Sequence, residues 1–174
     1  MASATVTELK TKVDAAWANL ARQVEGMEPY MERSAAPGEW TTREVLAHLL
    51  DAGGQRDPVE FLKKFSERDV PLADITAGQT DVTPERRTMT LTQFVTALDG
   101  QRRQVFAYLE SLPDKDLQRK ARIPFFKRFM GTDEVPMHVY VGALFATHWN
   151  DHAGQLAKIR KAAGRPDAKQ RRAA

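Results

Sequence analysis

The stretch Thr147-His148-Trp149-Asn150-Asp151-His152-Ala153-Gly154-Gln155-Leu156 places two histidines four residues apart. On a helix, residues at that spacing lie one turn apart on the same face, where two imidazoles can close on one metal ion. With the neighbouring apolar residues the series runs Val141, Phe145, His148, His152, Leu156, Ile159, a continuous stripe at helical period. The pair is therefore expected where core residues sit. His48 flanks a second stripe, Val45, Leu46, Leu49 and Leu50. Helical bundles build metal sites from facing helices. Three neutral imidazoles leave one open position on a tetrahedral ion, as in catalytic zinc sites. A water there is acidified, and a thiol is held as thiolate. The same spacing also suits histidines hydrogen-bonded within a core, and spacing by itself leaves both readings open. With no cysteine in the chain, protein ligands are limited to nitrogen and oxygen. Trp149 stands where the H-E-x-x-H pattern has its glutamate base, which removes that protease mechanism.

The elements that must carry these residues are helical. Val6, Leu9, Val13, Trp17, Leu20 and Val24 predict a first helix from about Thr5 to Glu25, closed by Gly26 and Pro29. Thr41 and Glu44 form a capping box that starts the second, with a kink or break expected at Gly53, Gly54 and Pro58 and a continuation through Phe61, Leu62 and Phe65. Residues 66–89 read as a long connection with room for one helical turn, suited to a crossover along a bundle. The third helix runs from about Thr90 to Leu112. Gln101 and Arg102 interrupt its apolar stripe; either both snorkel to solvent, the preferred reading, or they line a cavity. Residues 113–135 are rich in proline and charge, with an island at Ile123-Pro124-Phe125-Phe126 expected to cover one end of the bundle. The fourth helix starts between Asp133 and Pro136 and ends near Ala163, with Gly164 and Pro166 as its stop.

A chain of 174 residues with 42% hydrophobic and 28% charged residues suits one soluble domain. No apolar run is long enough to span a bilayer and the N-terminus lacks a signal pattern, so a cytoplasmic protein is expected. The predicted fold is all-α, one four-helix bundle over residues 1–164. Residues 165–174 form a basic, solvated tail containing Arg165, Lys169, Arg171 and Arg172. Without interleaved aromatics this tail makes nucleic-acid binding the weaker reading of the +3 net charge.

Two motifs carry a family resemblance. Trp40-Thr41-Thr42-Arg43-Glu44-Val45-Leu46-Ala47-His48-Leu49-Leu50-Asp51 resembles the first signature of the DinB-like family of bacterial metalloenzymes, and His148 to Leu156 resembles its second, H-x-x-x-H-x-G-Q-[LI]. Their order and separation also match. The resemblance implies a four-helix bundle with a long crossover between helices two and three. It implies a divalent metal, zinc, nickel or iron, on His48, His148 and His152. It further implies a thiol-dependent S-transferase, isomerase or hydrolase acting on a small molecule, with a low-molecular-weight thiol as cosubstrate, and a homodimer. The alternative is a bundle protein that binds a small molecule or metal in a stress response without catalysis.

Other residues receive smaller roles. Asp51 either orients an imidazole or is an exposed helix charge, the second being preferred. Asp151 points off the stripe. Trp40 packs at the start of helix two, Gly154 admits a neighbouring helix, and Gln155 hydrogen-bonds near the site. His138 is too far from His148 to share an ion and belongs to the surface or the bundle end.

Overall fold

The structure is a computed structural model. It describes residues 3–51, 54, 57–75, 78, 80 and 82–165. Its first long helix, α1 (Ala4–Val24), starts where the Ser3 side chain accepts from the Val6 amide, and it ends before Gly26, whose φ of 72° stops the chain from winding on. Helix α2 (Thr42–Leu50) begins at the expected box. Thr41 Oγ1 accepts from the Glu44 amide at 3.2 Å, and Glu44 Oε2 accepts from the Thr41 amide at 2.7 Å. The expected break follows, and α3 (Pro58–Leu62) restarts with Asp57 as its cap. Gly53 lies outside the described residues.

The crossover contains α4 (Pro84–Thr88), which leads into α5 (Leu91–Glu110). Arg86 of α4 donates to the Ala47 carbonyl at 3.3 Å and to Asp51 Oδ1 at 2.5 Å, pinning the crossover to the end of α2. On α5 the polar interruption does not snorkel. Gln101 is buried and donates to the Leu50 carbonyl at 3.1 Å. Arg102 pairs with Asp99 and Asp14 and lies 5.8 Å over the Trp17 ring. Partners on α1 and α2 made burial cheaper than exposure.

The segment after α5 holds more structure than its composition suggested. Strand β1 (Lys120–Arg122) pairs antiparallel with β2 (Glu134–Pro136), and α6 (Pro124–Met130) lies between them. Backbone bridges from Ser66 and Leu72 lace the crossover onto β1. Phe125 and Phe126 line a cavity.

The last helix starts one residue after Pro136. It comprises α7 (Met137–Val141), a π-helical segment (Gly142–Thr147) and α8 (His148–Ala162). It packs along α1, while α5 packs on α1, α2 and α3. Gly142 faces α1, where a Cβ would meet Leu9 Cδ1 at 3.4 Å, an ordinary contact. Gly154, expected to admit a neighbouring helix, is exposed with open space around it. Arg165 is exposed and lies 5.6 Å over the Tyr30 ring. The rest of the proposed tail, with Lys169, Arg171 and Arg172, lies outside the described residues. Among the described residues no helix is long and apolar enough to cross a membrane.

Candidate metal centre

The buried stripe of the last helix differs from the one its sequence suggested. Val141, Phe145, Trp149, Ala153, Leu156 and Ile159 occupy the core. Trp149 is 1% exposed and packs on Trp17 and Phe145. The histidines stand beside this stripe, half-buried, on a flank where Tyr140, Leu144, His148 and His152 recur every four residues. The π segment explains the shift. The His148 amide donates to Ala143, five residues back, so each turn is wider and steps of four stay closer to one line than on an α-helix. Apolar content alone carries no signal of this widening.

Across from that flank, α2 presents His48. Its Nε2 lies 2.9 Å from His148 Nε2, and His152 Nε2 lies 3.0 Å from the same atom. Three ring nitrogens thus converge on one point from two helices. Nearby rings hold them there. Trp40 stacks on His152 with centroids 5.9 Å apart and 4° between planes, and tilts against His48 at 4.9 Å. Trp40 is part of the site as well as of the packing. The Nδ1 of His152 meets Gln155 Oε1 at 2.8 Å, which sets the outer proton on Nδ1 and leaves a lone pair on Nε2.

The donors fit a cation. Each Nε2 has a single in-plane bonding direction, so His148 cannot satisfy both neighbours with one proton or one lone pair. An ion at the centre satisfies all three. Tetrahedral nitrogen ligands of zinc are about 3.3 Å apart, close to the spacing found. The rings also favour the neutral, ligating form. Burial first, then the charges of His152 and His48, hold His148 down to about 3. Burial likewise lowers His152, against the opposing Gln155 hydrogen bond. His148 Nδ1 is buried without a well-formed hydrogen bond, and the Leu144 carbonyl is the backbone group that favours a proton there.

The cluster opens into a cavity of about 580 Å3. Asp151, exposed and off the buried stripe, is also among the residues that line it. Asp51 is not an exposed charge: its side chain is 13% exposed and is held by Arg86. His138 has no place in the cluster, and its Nδ1 meets the Leu117 carbonyl at 3.1 Å.

The sequence model of the DinB superfamily matches residues 12–156. Among solved structures, YfiT from Bacillus subtilis, described as a probable metal-dependent hydrolase with an unusual four-helix bundle topology, is similar in fold. The TM-score is 0.63 at 18% identity, with 94% of this chain and 89% of that chain covered. No curated protein matches the sequence.

Proposed function

Because the chain belongs to the DinB superfamily, with a bundle that brings three imidazoles to one point, we propose that it is a metal-dependent hydrolase or thiol S-transferase acting on a small molecule. The observation that carries this reading is the convergence of the Nε2 atoms of His48, His148 and His152. These three would hold the ion through nitrogen. Bound there, zinc, nickel or iron supplies a Lewis acid that lowers the pKa of a water or thiol in its open position. The chain's own residues do the rest. Gln155 fixes the His152 tautomer, Trp40 walls off solvent on one side, and Asp151 takes the proton of the attacking group and returns it to the leaving group. The description of YfiT as a probable metal-dependent hydrolase supports the hydrolytic branch.

A non-catalytic binding role is the second reading, favoured by the scarcity of acid–base groups in the described lining, where Asp151 is the one carboxylate. A turnover screen of metal-loaded protein with esters, amides and thiol–electrophile pairs separates the two. Hydrolysis or transfer lost in both His148→Ala and Asp151→Asn supports catalysis. Ligand binding without turnover by any pair supports the binding role.

A further inference from the structure

We infer that the cavity takes a molecule with an apolar alkyl or aryl body and a single polar head, the head meeting the histidine-held metal. This rests on the metal-site reading above and names the substrate class for that site. The cavity lining is mostly apolar. Phe125, Phe126, Phe129 and Met130 of α6 contribute to it, with Ile75 from the crossover and Leu144 from the last helix. Its polar groups, the three histidines, Tyr140, Thr147 and Asp151, come from α2 and the last helix. The chain has 26 lysines and arginines, yet none is among the described lining residues, so a ligand's charged groups away from the bound ion find no counter-charge within the lining, Arg128 lying outside it over the Phe129 ring at 5.4 Å. A sugar or peptide-like thiol would leave carboxylates and hydroxyls facing apolar walls, at a desolvation cost. The thiol that fits is an alkyl or aryl thiol.

The mouth carries the same message. Phe129 is 66% exposed and Met130 40% exposed, an unusual display of large apolar side chains beside a cavity. Phe125 contacts both Phe126 and Phe129, at 5.7 and 5.3 Å between centroids, so the rim is a continuous aromatic surface. The volume, about 580 Å3, falls in the range of small-molecule pockets. A ligand body seated here covers the rim while its head reaches the nitrogens.

The test uses two ligand series, n-alkyl hydroxamates with a metal-seeking head and n-alkanols without one, from two to eight carbons. Both are titrated calorimetrically into full-length protein, metal-loaded and metal-stripped. The expected result is that Kd tightens about three- to four-fold per added methylene until the cavity fills. Metal should add affinity for the hydroxamates only. Phe129→Asp, a change at an exposed position, should flatten the chain-length dependence while metal content stays the same. Affinity independent of chain length overturns the apolar class even if metal strengthens hydroxamate binding. A chain-length dependence with no gain from metal leaves the apolar class standing and removes the metal reading instead. Loss of a dimer in Phe129→Asp with an unchanged chain-length dependence assigns the rim to protein contact and overturns the proposal.

Discussion

His148 Nε2 is the meeting point of the site, and its two neighbouring nitrogens at 2.9 and 3.0 Å set what single substitutions should do. His148→Ala should reduce bound metal from about one ion per chain to near zero while far-ultraviolet circular dichroism stays unchanged. Unaltered metal content would place the ion elsewhere. Gln155→Leu should leave the ligands in place but weaken metal affinity about 10- to 100-fold, because the His152 ring loses its outer hydrogen bond. A competition titration with a chelator measures this directly. Legibility at this scale was uneven. His148 and His152 were legible as a pair from their spacing of four, and His48 from the stripe it flanks, although the buried stripe of the last helix runs through Trp149 and Ala153 instead of the pair. The contacts of Trp40 with His48 and His152, and the place of Asp151 in the cavity lining, could not be read, because they arise only where elements remote in sequence meet. Asp51 was misjudged as exposed because its partner, Arg86, arrives from the crossover.

At the scale of elements, α2 matters most, since it carries His48 and is held at both ends. Its start depends on the Thr41–Glu44 box, and its end on Gln101 and Arg86, which reach the carbonyls of Leu50 and Ala47. Thr41→Ala should cost about 1 kcal/mol of stability in urea denaturation of the metal-free protein, with Thr41→Ser restoring most of it. No loss in the alanine variant would mean that tertiary packing alone sets the helix start. The box was readable because capping is local chemistry. The π segment was not, because Gly142 to Thr147 show no residue type that an α-helix excludes. The short strands at Lys120–Arg122 and Glu134–Pro136 escaped for a related reason: each has three residues, too few for an alternating pattern, and each exists through its partner.

Across the whole molecule, the arrangement concentrates neutral imidazole inside a folded bundle, and this gives stability a pH dependence. His148 titrates at about 3 in the folded chain, whereas an unperturbed histidine titrates near 6.5. Between those values the unfolded chain binds the extra proton and the native one does not. The stability present above pH 6.5 is therefore lost as pH falls through that window, at up to about 1.4 kcal/mol per pH unit from this group. Metal-free protein should thus denature at lower urea concentration at pH 5 than at pH 7, and His148→Leu should reduce the difference. Equal midpoints for the parent protein would contradict the burial of a neutral ring. The bundle and its long crossover were legible from stripes and loop length. The cavity was not, because it forms where α6, the crossover and the last helix meet across long sequence separations.

The most direct measurement is elemental analysis combined with X-ray absorption spectroscopy on protein purified without an affinity tag. The predicted result is about one zinc, nickel or iron per chain, with three imidazole nitrogens at about 2.0–2.1 Å for zinc and one further light ligand. A stoichiometry near zero after reconstitution with all three ions, or a shell without imidazole, would contradict a metal held by His48, His148 and His152.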